Sequence, residues 1–224
     1  MEVCSIILSA GKGSRMFSDI PKPLHLISGK TMLERVIDAN KLANIKKCII
    51  VIPEKCEAFE EICHDFETVV QKIPKGTGDA VKKASNSLKK FTGVILVCFG
   101  DTPFLTAETF KRVIKAFDNE TKLVITGFKK FEKNNYGKII FSSKNKPIEI
   151  VEQKDAELRN IHSEFCNGGV MAIHSSVINL LNKIQENLIT KEFYLTDLVN
   201  ILNKENKKIS FIEIKEEEII GINN

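Results

Sequence analysis

Short apolar runs rich in β-branched residues alternate along the whole chain with longer stretches whose apolar residues recur at helical spacing. This alternation is the pattern of a sheet covered by helices on both faces. No linker rich in Pro, Gly or Ser and no internal repeat interrupts it. We therefore expect one domain over residues 1–224, an α/β three-layer Rossmann-like sandwich with a mixed, mainly parallel sheet.

The clearest strands are the near-continuous apolar runs at 3–9 and 93–99, which are typical of strands buried on both faces. Further strands are predicted at 48–52, 68–71, 123–128, 165–173 and 208–214. Between 134 and 152 the strands become shorter and more polar, so we expect the sheet to become mixed there. Apolar spacing predicts helices at 32–43, 57–66, 79–88, 106–117, 175–184 and 194–203.

Charge and cysteine usage narrow the class of protein. The 33 Lys and Arg against 29 Asp and Glu leave a net charge of +4, too small to indicate a nucleic-acid or membrane partner. Apolar runs fall well short of the roughly 20 residues that span a bilayer, and the N-terminus lacks a signal-peptide pattern.

The six cysteines form no C-x-x-C pair, which predicts reduced thiols in the cytoplasm. We expect no zinc site at Cys56, Cys63 and His64, because a helix would place at most two of them on one face.

A loop of small residues follows the first buried strand, and Lys12 and Arg15 add positive charge to it. Such a loop lets backbone N–H groups approach an anion closely, which suits a nucleoside triphosphate. The dinucleotide fingerprint G-x-G-x-x-G fails because Met16 stands at its third glycine. A Walker loop ending at 29–31 fails because Leu24 stands at its first glycine.

Two charged side chains stand where phosphate chemistry needs them. Lys22 lies between two prolines, which restrict the backbone on each side and suit a lysine that must meet a phosphate at a fixed position. Asp101 follows the strongest predicted strand, at the edge where open α/β sheets place their ligands. A carboxylate beside phosphates is the usual way to hold Mg²⁺. Each residue alone also fits an ordinary turn.

Nine segments then occur in one order: L-S-A-G-K-G-S-R-M at 8–16, P-K-P-L at 21–24, Gln71 followed by K-G-T-G at 75–78, F-G-D at 99–101, Y-G at 136–137, I-V-E-Q-K-D at 150–155, C-N-G-G at 166–169, E-F-Y-L-T-D at 192–197 and G-I-N-N at 221–224. This order resembles the uridylyltransferase domain of the bacterial bifunctional enzyme that makes UDP-N-acetylglucosamine. The resemblance runs from residue 7 to residue 224. The first loop alone marks the wider sugar-phosphate nucleotidyltransferase superfamily, with its nucleotide-diphospho-sugar transferase fold.

The resemblance implies a set of site residues. Those expected to contact the nucleotide are Leu8, Ser9, Ala10, Gly11, Phe99 and Gly100, with Gln71 and Gly76 reading the uracil. Those expected to contact the sugar and its N-acetyl group are Thr77, Gly137, Glu152 and Asn167. Arg15 and Lys22 would neutralise the triphosphate, and Asp101 and Asn223 would hold Mg²⁺. Without the resemblance, Glu152 and Asn167 fit solvent-exposed strand ends as well as they fit a binding site. The local sequence of residues 194–197 favours a helix start over direct contact with substrate.

The resemblance implies that N-acetylglucosamine-1-phosphate attacks the α-phosphorus of UTP in line, without a covalent enzyme intermediate. The sequence departs from the pattern in three places: Phe99 replaces a tyrosine, Asp79 a histidine and Pro23 an aliphatic residue. The left-handed β-helix of the bifunctional enzyme is missing. We therefore expect no acetyl transfer, no coenzyme A binding and no trimer, and leave the oligomeric state open.

Three alternatives remain. The same fold accepts other nucleotides and other sugar or alcohol phosphates, and a catalytically retired binding protein would keep the nucleotide site without turnover. Arg15, Lys22, Asp101 and Asn223 argue against retirement, since a retired enzyme has no need for all four. A nicotinamide-dependent oxidoreductase is disfavoured by the broken glycine fingerprint and by the lack of an acid on the second strand.

Overall fold

The computed structural model describes residues 1–11, 18, 20–54, 56–132 and 134–220. The strands are β1 (Glu2–Leu8), β2 (Leu26–Ile27), β3 (Lys30–Thr31), β4 (Lys47–Ile52), β5 (Glu67–Val70), β6 (Gly93–Phe99), β7 (Thr121–Lys129), β8 (Lys138–Phe141), β9 (Pro147–Val151), β10 (Phe165–His174) and β11 (Lys208–Glu213). The α-helices are α1 (Met32–Leu42), α2 (Glu57–Cys63), α3 (Thr77–Ser85), α4 (Ala107–Lys115), α5 (Gln153–Leu158) and α6 (Asp197–Lys204). Short 3₁₀ helices lie at Lys22–Leu24, Asn86–Leu88, Ser175–Lys183 and Glu216–Ile219.

The main sheet has the strand order β11-β7-β10-β6-β1-β4-β5, with β8 paired to β10 and β9 paired to β8. Strand β1 runs parallel to both β6 and β4, whereas β10 runs antiparallel to β6 and β7. The expected mixed, mainly parallel sheet is therefore confirmed, and the polar strands of 134–152 pair antiparallel with each other and extend the antiparallel part next to β10. The chain leaves β1 toward β4 and later returns to β1's other side as β6, so β1 lies at the point where the strand order reverses.

Apolar side chains cover both faces of the sheet, as a three-layer sandwich requires. On one face the helices α3 and α6 and the 3₁₀ helix Ser175–Lys183 contribute Val81, Leu181 and Leu198. On the other face α1, α2 and α4 contribute Val36, Phe59 and Phe110. Successive strand side chains alternate between these layers, which is why β1 and β6 read as continuous apolar runs.

Local chemistry sets several helix starts. The Thr31 side chain accepts from the Glu34 amide while the Glu34 carboxylate accepts from the Thr31 amide, a capping box that begins α1 as predicted. Thr106 caps α4 in the predicted place. Helix α3 begins at Thr77, two residues before the predicted start, because Gly76 provides the break in the backbone.

The secondary structure departs from the prediction at several points. Residues 175–183 are helical as predicted but form a 3₁₀ helix, and the helix predicted from 194 begins at 197. Helix α5 was not predicted, because Ala156 is its one buried residue and no apolar stripe marks it. Strands β2 and β3, two residues each, were also missed because they are too short for any alternation to show.

Candidate active site

A cleft of about 740 Å³ opens at the carboxyl ends of the central strands. Leu8 at the end of β1 is in register with Phe99 on β6 and with Val51 on β4, and all three line the cleft. Open α/β sheets bind ligands at this edge, beside the strand where the order reverses. The strand ends at which the sequence predicts a site therefore form the wall of this cleft.

Most of the candidate residues line this one cleft: Leu8, Ser9, Ala10, Gly11, Lys22, Gln71, Gly76, Thr77, Phe99, Asp101, Glu152 and Asn167. Gly100 and Gly137 are not among its lining residues. Gly100 lies between Phe99 and Asp101, which do line the cleft, and Gly137 accepts a hydrogen bond from the Asn167 amide through its carbonyl at 2.8 Å. Arg15 and Asn223 lie outside the described residues, as do Lys12, Gly13, Ser14 and Met16 of the glycine loop.

Close packing explains the glycine at position 100. The Gly100 amide donates to the Leu8 carbonyl at 3.0 Å, which joins the ends of β6 and β1. A Cβ at this position would lie 2.2 Å from the Ser9 hydroxyl. Gly100 thus acts through backbone proximity, holding the small-residue loop against the turn that carries Asp101.

Lys22 and Asp101 meet in the cleft. Lys22 Nζ lies 2.7 Å from Asp101 Oδ2, and the side chains are 13% and 31% exposed. Pro21 is the N-cap of the 3₁₀ helix Lys22–Leu24, with φ −54°, and Pro23 is buried within it. The prolines fix the backbone that carries the lysine, so the sequence-based expectation of a preset lysine is matched by its local geometry. A cation and a carboxylate in contact there can each take a partner of opposite charge from a bound phosphate complex.

Gln71 lies at the end of the cleft beside α3. Its side-chain amide donates to the Gly76 carbonyl at 3.3 Å and to Asp79 Oδ2 at 2.7 Å. Gly76 has φ +95° and lies so close to another segment that a Cβ would be 2.5 Å from the Phe193 carbonyl oxygen. The glycine is therefore required by both conformation and space.

We expect Gly76→Ala to reduce the free energy of unfolding by about 1–3 kcal/mol through backbone strain, with the contact to Phe193 adding to that loss. In a chain of this size each kcal/mol corresponds to roughly 2–4 °C of Tm, measurable by thermal denaturation. Gly29→Ala is the matched control, because Gly29 also has a positive φ, +82°, but a Cβ there meets nothing within 4 Å. Equal losses in the two variants would contradict the role of the Phe193 contact.

Glu152 and Asn167 lie at the other end of the cleft, near β9 and β10. Glu152 Oε1 accepts from the Thr196 hydroxyl at 2.8 Å. Burial raises the pKa of Glu152, and the hydrogen bond from Thr196 partly opposes that rise. Asn167 Oδ1 accepts from the Gly169 amide at 3.1 Å, which orients its side chain. This end of the cleft thus offers a fixed carboxyl and amide as hydrogen-bonding groups.

Sequence reasoning missed several lining residues: Pro74, Gly169, Met171, Glu192, Tyr194, Leu195 and Thr196. The last three were interpreted as a helix start, and Thr196 is the N-cap of α6, but the same residues also line the cleft. Long-range hydrogen bonds hold this segment there: the Leu195 amide donates to Thr77 Oγ1 at 2.9 Å, and the Phe193 amide donates to the Lys75 carbonyl at 2.8 Å. The motif of 192–197 was noted in the sequence, but its local composition favours a helix cap over a cleft wall.

Asp197, the residue after Thr196, makes the free energy of unfolding depend on pH. Burial, together with the charges of Asp155 and Glu149, raises the pKa of Asp197 to about 6. A raised native pKa contributes stability that is present below about pH 4 and lost as the pH rises through about 6. The ionised Asp197 carboxylate therefore costs stability at pH 8.

We expect Asp197→Asn to raise Tm at pH 8 by roughly 2–4 °C, an effect kept small by partial solvent exposure of the carboxyl. At pH 4 the difference from the unmodified protein should vanish, since Asp197 is protonated there in the folded state. Thermal denaturation at the two pH values makes the comparison within one pair of proteins. A Tm gain that is the same at both would show that the charge of Asp197 is not its cause.

The donor set fits a divalent cation bound jointly with substrate. Among the described residues no group of three or more His, Cys, Asp and Glu side chains could hold a metal by itself. Mg²⁺ commonly takes one or two protein carboxylates and completes its coordination with phosphate and water. Asp101, a partly exposed carboxylate that lines a cleft of about 740 Å³, is suited to that arrangement.

The three departures noted in the sequence lie near the cleft. Phe99 and Pro23 line it, and Asp79 contacts Gln71 from behind. Phe99 packs so closely on Gly169 that a Cβ on Gly169 would be 3.1 Å from the ring.

All six cysteines are free thiols. Burial raises the pKa of Cys48 and Cys63 to about 11, which makes these thiols unreactive. No helix in the described ranges combines the length and apolarity needed to cross a membrane.

The architecture is that of the nucleotide-diphospho-sugar transferases, a class of nucleotidyltransferases. The chain superimposes with a TM-score of 0.78 on a structure assigned as a glucose-1-phosphate thymidylyltransferase from Bacillus anthracis, at 18% identity, over 95% of this chain and 87% of that one. It superimposes with a TM-score of 0.74 on the inositol-1-phosphate CTP transferase from T. maritima, at 16% identity, over 95% and 85% of the two chains. These similarities establish the fold class predicted from the sequence.

Sequence comparison assigns the family. The MobA-like NTP transferase domain matches residues 5–166, so the chain belongs to that family. Bifunctional protein GlmU from Ruegeria sp. (strain TM1040) is 37% identical over 228 residues, covering 100% of this chain and 50% of that protein. GlmU from Buchnera aphidicola subsp. Schizaphis graminum is 37% identical over 232 residues, covering 100% and 49%. The chain therefore spans about half the length of the curated relatives it matches.

Proposed function

We propose that this chain is a uridylyltransferase, a single nucleotidyltransferase domain that makes UDP-N-acetylglucosamine and pyrophosphate from UTP and N-acetylglucosamine-1-phosphate. The order of polar groups across the sheet carries the proposal. Gln71 follows β5, the small-residue loop follows β1, Asp101 follows β6, and Asn167 lies on β10. A nucleotide joined to a sugar through phosphates has the same linear order of base, phosphates and sugar.

Each part of the cleft then has a role in the reaction. Gln71 and Gly76 would bind the base, and the backbone of Ser9, Ala10 and Gly11 would approach the triphosphate closely. Lys22 would neutralise the charge that develops as the sugar-phosphate oxygen bonds to the α-phosphorus and the bond to the β-phosphate breaks. Pyrophosphate leaves, and no protein group forms a covalent bond. Thr77, Glu152 and Asn167 would orient the sugar and its N-acetyl group, while Gly137 would act through the Asn167 backbone.

The proposed cation is Mg²⁺, which when bound shields phosphate charge and draws the phosphates together. Asp101 would hold it, with Asn223 as the second protein ligand. Asp101 otherwise contacts Lys22, so on binding the carboxylate would exchange this contact for the cation, and the ammonium would exchange it for phosphate oxygens. UTP as substrate and free thiols fit a cytoplasmic location.

Pyrophosphate release tests the proposal directly. We would supply Mg²⁺ and a grid of UTP, CTP, GTP, ATP and dTTP against N-acetylglucosamine-1-phosphate, glucose-1-phosphate and mannose-1-phosphate. Turnover concentrated on UTP with N-acetylglucosamine-1-phosphate is the expected result. Turnover with another pair would contradict the assigned substrates, and an inactive protein that still binds UTP would identify a nucleotide-binding protein without catalysis.

A further inference from the structure

The side chain of Gln71 is held by two hydrogen-bond acceptors. Gln71 is 4% exposed and lines the cleft, and its backbone amide donates to the Ile52 carbonyl at 2.9 Å. Its Nε2 donates to the Gly76 carbonyl and to Asp79 Oδ2. In the part of the chain that the structure describes, its carbonyl oxygen Oε1 makes no hydrogen bond, so this atom is the one left to meet a ligand.

The orientation of this amide follows from chemistry. A backbone carbonyl accepts hydrogen bonds and cannot donate, and a carboxylate does the same. Rotating the amide by half a turn would place Oε1 against both acceptors, replacing two attractions with two repulsions. The Asp79 carboxylate also forms an ion pair with Lys83, one turn further along α3. Asp79 and Gly76 together therefore fix which atom of Gln71 faces the cleft.

We infer that Asp79 is a positioning residue for base selection: it holds the Gln71 amide so that the cleft presents a carbonyl acceptor, which selects a nucleobase with a ring N–H over cytosine. This inference rests on the proposed function, because it takes the Gln71 end of the cleft as the base site. Uracil carries a donor at N3, where cytosine carries a lone pair. An acceptor facing that position binds the first and repels the second.

The Gly76 carbonyl alone would not fix the amide. The hydrogen bond from Gln71 Nε2 to the Gly76 carbonyl is 3.3 Å long, whereas the one to Asp79 Oδ2 is 2.7 Å. Without the Asp79 carboxylate, only the longer hydrogen bond would restrain the Gln71 amide. A hydrogen bond to a charged acceptor is also stronger than one to a neutral carbonyl. The carboxylate is thus the dominant restraint on the orientation of Gln71.

The test compares UTP and CTP in the unmodified protein and in Asp79→Asn, by kcat/KM and by calorimetric binding with Mg²⁺ present. An asparagine at this position can offer either a donor or an acceptor, so Gln71 can adopt both orientations. We expect the preference for UTP over CTP to fall about tenfold, the value of one hydrogen bond. Asp79→Glu keeps an obligate acceptor and should retain more of the preference. Lys83→Ala removes the cation beside Asp79 but keeps the carboxylate, and should leave the preference unchanged.

The outcomes separate this inference from the function on which it rests. If the unmodified protein prefers UTP and Asp79→Asn weakens both nucleotides equally, Asp79 has a general structural role and the inference is wrong, while the proposed function stands. If the unmodified protein binds neither nucleotide, or prefers CTP, the proposed function fails and the inference fails with it. A selective loss of the UTP preference in Asp79→Asn supports both.

Discussion

Lys22→Ala is expected to lower the proposed uridylyltransferase turnover by about 10²- to 10³-fold, the usual cost of removing one group that stabilises transition-state charge. The Lys22 ammonium lies 2.7 Å from Asp101 in the cleft, at the position proposed for the phosphates. Its loss leaves the developing negative charge less compensated and leaves Asp101 without this ion pair. We expect kcat to fall more than KM rises, because the charge grows as the reaction proceeds. Steady-state kinetics on the two proteins measures this.

The surface offers a matched control for that variant. Lys30 Nζ lies 2.6 Å from Asp38 Oδ2, a similar ion pair, but its side chain is 56% exposed and away from the cleft. Lys30→Ala should therefore leave turnover unchanged. Thermal denaturation of both variants should show a folded protein, since exposed or partly exposed ion pairs contribute little to stability. Near-normal turnover by Lys22→Ala would remove Lys22 from the proposed mechanism.

Asp101→Asn is expected to lower turnover about 100-fold or more, because an amide is a much weaker ligand than a carboxylate for a hard divalent cation. The substitution preserves shape, so the fold should remain intact. Two measurements apply: pyrophosphate release as a function of Mg²⁺ concentration, and binding of Mn²⁺ with UTP followed by electron paramagnetic resonance. Both should show weaker cation binding than in the unmodified protein.

Asp38→Asn is the control for Asp101→Asn, since Asp38 is the acidic partner of the exposed pair with Lys30. It should change neither turnover nor cation affinity. If Asp101→Asn lowers turnover but binds Mn²⁺ as before, then Asp101 serves to place Lys22 and does not hold the cation. Near-normal turnover would exclude both roles.

Much of the architecture follows from patterns that depend on neighbouring residues in the sequence. β1 and β6 are buried on both faces and therefore appear as near-continuous apolar runs, and Thr31 begins α1 with a capping box that spans four residues. Where structure depends on distant contacts, the sequence gives a weaker signal. Tyr194 and Thr196 line the cleft because their segment is hydrogen-bonded to residues 75–78. No pattern among neighbouring residues indicates that long-range contact.

The candidate site divides in the same way. The placement of Lys22 between prolines and of Asp101 at a strand end could be argued from the residues themselves. Only the resemblance to a family identified Gln71, Glu152 and Asn167 as candidate site residues, because a single polar residue beside a strand has no distinctive pattern. Neither the local sequence nor the family resemblance could predict the contact between Gln71 and Asp79. An aspartate replaces the residue usual in the family, and its effect depends on side-chain geometry.

The hydrogen bonds between residues 75–78 and 193–195 have a consequence for the order in which this chain acquires its parts during folding. Thr77 and Leu195 are 118 positions apart, so this wall of the cleft closes after a long loop has been ordered. Strand β10 likewise inserts between β6 and β7, which precede it in the chain. A fragment ending at residue 166, where the family match ends, would carry Gly76 and Asp101 but lack the segment packed against Gly76. The complete cleft thus depends on contacts between segments that lie far apart in the chain, and we expect these contacts to form late in folding.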